Sequence, residues 1–248
     1  MPQNDRLRTL VLRLREDGQV SVPDLARDLG VTQSTIRRDL ARLALDGSVV
    51  RTYGGAAMPG AAMPRRDDAT AEAKRAISAA AAELIEDGQT VAISSGSTTL
   101  ELARRLVDRR LTVITNALDV ANVLLDRDGI ELIVLGGVVR PRMHSMLGHL
   151  AELALGELRA DTLFMGIGAI DSERGLMNDS VPEIITDRAL RASSRNCVVL
   201  ADATKFCQVA PAFVFGLDQV NTVVTDASID PADVSSLTAN NVRVIVAE

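Results

Sequence analysis

The chain has 248 residues, 47% apolar and 24% charged, with a net charge of −6 at pH 7. That length suits one large domain or two unequal ones, and the apolar share supplies a sizeable core. No run of 18 uncharged apolar residues is present to span a bilayer, and with aromatics at only 2% there is no ladder of stacking platforms for single-stranded nucleic acid.

The predicted elements begin with a helix over 4–16, where Leu7, Leu10, Val11 and Leu14 recur at helical spacing, Asn4 can cap the start and Gly18 follows the end. A short helix is expected at Pro23–Leu29, with proline in its first turn and Gly30 as its breaker. Thr32 can cap a third helix running to Leu45. Residues 48–53 read as a strand ended by Gly54-Gly55.

Residues 58–69 are expected to be a linker, with two prolines and a charge run. It separates a head, 1–57, from a larger domain, 70–248. That domain opens on an Ala-rich helix over 70–86. Apolar runs then recur at 90–94, 111–115, 130–135, 162–165, 197–201, 222–225 and 242–246, with helical stretches between several of them. Continuous Val/Ile/Leu strands alternating with helices predict a Rossmann-like, mostly parallel α/β sheet covered on both faces.

Charge is unevenly divided. The first 57 residues hold nine arginines and are net positive, while the remainder is net negative. In the third helix Ile36, Leu40 and Leu43 form the stripe expected to face a core. Ser34, Arg37, Arg38 and Ala41 fall roughly opposite. Two adjacent arginines are thereby placed near the start of a helix that can enter a major groove, where arginine bonds guanine or phosphate. The strand carrying Arg51 and Tyr53 follows where a wing would touch the backbone. The simpler alternative for such an Arg pair is a solvated face; the turn, cap and wing together favour a winged helix-turn-helix. The candidate DNA contacts are Gln33, Ser34, Thr35, Arg37, Arg38, Arg42, Arg51 and Tyr53.

In the larger domain, polar clusters follow the apolar runs: Ser94-Ser95-Gly96-Ser97-Thr98-Thr99, then Gly136-Gly137, then Gly166-Ile167-Gly168 with Asp171 beyond, then Asp202-Ala203-Thr204-Lys205. In a parallel sheet these lie along one edge, where α/β folds bind ligands. The first cluster has the makings of a phosphate cradle: glycine for close approach, hydroxyls, and a helix N-terminus. Lys205 adds a full charge. Each feature alone has a plainer reading as cap, turn or solvated lysine. Gly-x-Gly is not a dinucleotide fingerprint, because GxGxxG is absent. His144 and His149 are expected at the surface or in caps. Cys197 and Cys207 show no metal-ligand spacing and are expected to be reduced and structural. No cofactor, metal or catalytic residue is expected. The N-terminal MPQNDRLRTL lacks an apolar signal core, so a cytoplasmic location is expected.

The run VSVPDLARDLGVTQSTIRRDLARLALDGSVVRTYGGA closely resembles the N-terminal signature of DeoR-family regulators, most specifically in TIRRDL at 35–40 and RTYGGA at 51–56. The family often has His where this chain has Tyr53. The resemblance continues through SGSTT (95–99), TNA (115–117), LGG (135–137), GIGAID (166–171) and DATKF (202–206). It implies a C-terminal sensor related in fold to ribose-5-phosphate isomerase and CoA transferases. The implied effector is a sugar phosphate or similar metabolite, bound by Ser94, Ser95, Gly96, Ser97, Thr98, Thr99, Asn116, Gly136, Gly137, Gly168, Asp171, Asp202 and Lys205. Two positions depart from the pattern: Ser94 replaces the family's common Asp, and Ala117 a serine.

The leading expectation is a repressor of a carbohydrate-metabolism operon that binds double-stranded operator DNA, responds to a phosphorylated metabolite and forms at least a dimer. The alternative is a phosphosugar isomerase or deaminase carrying a DNA-binding appendage, with Asp171, Asp202 or Glu183 as general base.

Overall fold

The computed structural model describes residues 6–7, 9–10, 12–13, 19–45, 49–52, 55–57, 70–141, 143–206 and 208–248. The expected linker 58–69, the Asn4 cap, Gly18, Tyr53 and Cys207 lie outside them, as do the side chains of Arg37, Ala41 and Arg51. Contacts divide the chain into two units, 1–68 and 69–248.

In the first unit the described residues between 6 and 13 are helical. Strand β1 (Gln19–Ser21) precedes helix α1 (Val22–Asp28) and helix α2 (Gln33–Leu45). Gly30, at φ +63°, makes the left-handed turn between the helices. Thr32 caps α2, its Oγ1 accepting the Thr35 N–H at 3.3 Å. Strands β2 (Val50–Thr52) and β3 (Gly55–Ala57) form an antiparallel wing, and β3 also pairs with β1. Leu10, Val22, Leu25, Ile36, Leu40, Leu43 and Val49 fill the core. Each large side chain removed from water there contributes about 1.5–3 kcal/mol.

The second unit opens on α3 (Ala71–Ala82). Seven parallel strands follow: β4 (Thr90–Ile93), β5 (Leu111–Thr115), β6 (Ile130–Val134), β9 (Ala160–Gly166), β12 (Ser194–Leu200), β14 (Thr222–Asp226) and β15 (Arg243–Ala247). Their order is β15-β14-β12-β9-β4-β5-β6. All seven apolar runs read from the sequence are strands of this sheet.

Helices α3, α4 (Ser97–Arg105) and α5 (Leu118–Leu124) bury Ile77, Leu102 and Val120 in a cluster on one face. Helices α6 (His149–Glu157), α7 (Ile184–Ala192) and α8 (Pro231–Ala239) bury Leu155, Leu190 and Leu237 in a second cluster on the other. The sheet is therefore covered on both sides, as its unbroken apolar strands require. Shorter pieces were not expected from the sequence: a hairpin of β7 (Val138–Arg140) and β8 (Ser145–Leu147), and a small sheet of β10 (Ala169–Asp171), β11 (Gly175–Asn178) and β13 (Ala212–Phe215).

The strand order positions the site. From β4 the chain moves outward through β5 to β6. It then returns to β9, on the other side of β4, and moves outward the opposite way. The carboxyl ends of β4 and β9 therefore flank a topological switch point, the crevice where open α/β sheets bind ligands.

Candidate DNA interface and effector site

On α2, Ile36 and Leu40 are fully buried and Leu43 nearly so, while Gln33, Ser34, Arg38 and Arg42 are exposed and Thr35 is half-buried. The helix thus presents a polar face carrying two arginines, one of them in its last turn. Asp39, inside the TIRRDL run, is turned the other way: it is 1% exposed, and its Oδ2 accepts from Arg6 Nε at 2.5 Å. That partner holds the Arg6 guanidinium above its ordinary pKa. The arginine–arginine–aspartate triplet thus divides into an outward cation and a buried anchor.

At the switch point, residues 94–99 leave β4 and open α4. Gly96 is the N-cap and no side chain caps the helix, which leaves the positive end of α4 at the crevice. A Cβ on Gly96 would lie 3.0 Å from Thr99 Oγ1 and 3.8 Å from Gly166 Cα. The two glycine-containing turns thus touch backbone to backbone. Thr98 and Thr99 are buried, and Thr99 Oγ1 donates to Gly96 O at 3.0 Å.

Ser94 is 3% exposed and its Oγ accepts the Gly166 N–H at 3.2 Å, across the crevice. The short hydroxyl thereby joins the two turns. Thr115 Oγ1 ties β5 to β4 through Ile93 O at 2.7 Å. Beside it Asn116, 3% exposed, donates through Nδ2 to Met146 O at 3.2 Å, while its Oδ1 is buried with no hydrogen-bond partner among the described residues.

The remaining residues expected at the site spread along the same edge. Gly137, at φ +129° with its Cα against Leu147 O, makes the turn from β6 into the hairpin that only glycine fits; Gly136 precedes it. Gly168 donates its N–H to Asn178 Oδ1 at 2.8 Å. Asp202 and half-buried Lys205 follow β12, one strand beyond β9. Asp202 Oδ1 caps its own turn by accepting the Thr204 N–H at 3.1 Å, and the Lys205 side chain forms no hydrogen bond or ion pair among the described residues. Asp171 belongs to the small sheet, where its Oδ1 accepts the N–H groups of Glu173 and Arg174 at 2.9 and 2.8 Å. Those bonds hold its pKa below the usual aspartate value.

Glu183, named from the sequence as a possible general base, and residues outside the expected set join the edge. Glu183 Oε1 accepts from Arg140 Nη1 at 2.6 Å and from Ser145 Oγ at 3.1 Å. Asp187 is buried, and its Oδ2 accepts from Asn178 Nδ2 at 2.8 Å. Burial and the nearby Glu183 push its carboxyl up to about 7, against the opposing hydrogen bond from Asn178. No signal in spacing or composition marks Asn178 or Asp187 for this site, because hairpin and helix meet only in the fold. His144 pairs with Asp119 at 2.8 Å and His149 is exposed. Cys197 is a free, buried thiol pushed up to about 12. Two open grooves lie at the other edge, along the amino ends of the strands, away from these groups. Among the described residues no cluster fit to hold a metal occurs, and no helix is long and apolar enough to cross a membrane.

A winged helix-turn-helix joined to an α/β unit with a crevice at its switch point defines a class: DNA-binding regulators that carry a sensor domain. Residues 6–61 match the DeoR-like helix-turn-helix domain, and residues 69–227 match the DeoR C terminal sensor domain. The chain belongs to the DeoR family. It is 34% identical to a putative aga operon transcriptional repressor of Escherichia coli O157:H7, over 98% of this chain and 93% of that one. It is 32% identical to the HTH-type transcriptional repressor CsqR of E. coli K12, over 98% and 95%. It is 30% identical to the glycerol-3-phosphate regulon repressor of the same strain, over 98% of each. The solved ribose 5-phosphate isomerase A of Methanocaldococcus jannaschii is similar over 55% of each chain, at 17% identity and a TM-score of 0.42, a likeness too slight to carry a functional conclusion.

Proposed function

We propose that this regulator is a repressor of a carbohydrate-metabolism operon, released or retuned by a phosphorylated sugar or related metabolite. The observation that carries this reading is the switch point. The uncapped N-terminus of α4 meets the Gly166 turn there, so backbone N–H groups and a helix dipole converge on one crevice. Gly96, Ser97, Thr98 and Thr99 take the phosphate, and Lys205 neutralises part of its charge. Relatives whose names refer to an aga operon and a glycerol-3-phosphate regulon are consistent with such an effector. Gln33, Ser34, Thr35, Arg37, Arg38, Arg42, Arg51 and Tyr53 contact the operator. The linker spans 58–69, and the protein acts in the cytoplasm as a homo-oligomer, because one small head covers few phosphates and paired half-sites double the contacts.

The three carboxylates that the sequence offers as general bases are each engaged elsewhere, which disfavours an enzymatic role for them. A general base must be able to reach a substrate proton. Glu183 is held by Arg140 and Ser145, and Asp171 and Asp202 are occupied by turn N–H groups. The reading is tested by a thermal-shift screen against phosphorylated sugars, followed by DNA-shift and isomerase assays with the best binder. Binding that alters DNA affinity without turnover supports it; turnover of that compound contradicts it.

A further inference from the structure

We infer that Asn116 and Asp187 form a second subsite beside the phosphate cradle, one that takes hydroxyl groups of the effector and so selects a phosphorylated polyol or sugar over phosphate alone. The inference rests on the cradle reading above.

A chain of contacts ties both residues to the strands that flank the crevice. Ile93 O binds Thr115 Oγ1, and two residues on Ala117 bridges to Ser145. Ser145 Oγ reaches Glu183, one helical turn before Asp187. Asp187 binds Asn178, Asn178 binds the Gly168 N–H, and the neighbouring Gly166 N–H returns to Ser94, next to Ile93. These bonds link the carboxyl ends of β4, β5 and β9 to one another.

Both residues have unmet acceptor capacity. Asn116 Oδ1 is buried with no partner among the described residues, a state that is costly unless something donates to it. The Asp187 carboxyl is largely buried, its Oδ2 accepts from Asn178 Nδ2, and it forms no ion pair among the described residues, so it has capacity for a further hydroxyl. Arg140 is already bound to Glu183, and Arg188 to the carbonyls of Phe213 and Val214. Acceptors without donors call for donors from a ligand. Hydroxyls suit both positions, because they donate to Asn116 and can donate to, or accept from, a carboxyl that burial keeps near its titration point.

The test is calorimetric titration of the full-length protein with inorganic phosphate and with a panel that includes glycerol 3-phosphate and ribose 5-phosphate. Wild type, Asp187→Asn, Asn116→Ser and Gly96→Val are compared, each first checked by thermal melting. The expected result is a wild type that prefers its best polyol phosphate over inorganic phosphate, and a preference that falls about 10-fold or more in Asp187→Asn and Asn116→Ser. An unchanged preference in both variants overturns the subsite while leaving the cradle standing. So does a wild type that binds no panel member better than inorganic phosphate. If Gly96→Val binds phosphate and polyol phosphates as wild type does, the cradle reading itself falls and the subsite falls with it.

Discussion

Arg6 Nε and Asp39 Oδ2 lie 2.5 Å apart inside the head, the aspartate 1% exposed. This ion pair joins the N-terminal helical segment to α2. It gives the aspartate of TIRRDL a structural task distinct from that of the arginines before it.

Asp39→Asn keeps the shape but removes the charge that Arg6 meets. The head's melting transition should fall and operator affinity with it, while the transition of residues 69–248 stays where it was. Calorimetry resolving the two units checks this. A joint shift of both transitions would contradict the assignment.

Arg38 and Arg42 are exposed on the polar face of α2. Loss of a base contact at Arg38→Ala should cost about 1–3 kcal/mol and relax preference at one base pair. Arg42→Ala, at the far end of the helix, should weaken all sequences alike and lower the salt slope by about 1. Arg37→Ala is expected to behave as Arg38→Ala. The assay is fluorescence anisotropy on an operator selected from random DNA and on its single-base variants. Wild-type affinity in both Arg37→Ala and Arg38→Ala would remove α2 as the recognition helix.

The buried Asp187 makes stability depend on pH. Its carboxyl is pushed up to about 7 in the folded protein, whereas an unfolded aspartate titrates near 3.9. The native state therefore binds the proton more tightly. Unfolding free energy falls as pH rises from about 4 to about 7 and levels off above. The ceiling on that loss is about 4 kcal/mol. Asp187→Asn cannot ionise, so its stability relative to wild type should improve across that window. Urea melts at pH 5, 6, 7 and 8 measure the difference; a constant difference would show that Asp187 does not titrate there.

Lys205 has no side-chain partner among the described residues. Lys205→Ala should weaken phosphorylated ligands about 10-fold or more, consistent with the loss of one charge-assisted bond, and leave their unphosphorylated parents unaffected. Equal loss for both forms, read by calorimetric titration, would place Lys205 away from the phosphate.

Much of this architecture was legible in the residues. The apolar stripe of Ile36, Leu40 and Leu43 and the Thr32 cap define α2, and runs such as Thr90–Ile93 and Leu111–Thr115 define strands, because burial on both faces demands uninterrupted apolar side chains. Strand order was not legible. Nothing local tells β9 to return beside β4, yet that return creates the crevice. The three- and four-residue strands at 19–21, 55–57, 138–147 and 169–178 are too short to show a period. Ser94 shows the limit most clearly. Its position before a helix marks it as a candidate ligand contact, and nothing local shows that its hydroxyl also meets a backbone N–H 72 residues away. The partners of Asn178, Glu183 and Asp187 are likewise set by the meeting of distant segments.

The most direct measurement is titration of the protein–operator complex with the best sugar phosphate from the screen and with its dephosphorylated form. Fluorescence anisotropy of the DNA is followed for wild type and Gly96→Val. The account predicts that only the phosphorylated form changes operator affinity in wild type, and that Gly96→Val binds operator normally but no longer responds. An equal response to both forms, or an undiminished response in Gly96→Val, would contradict it.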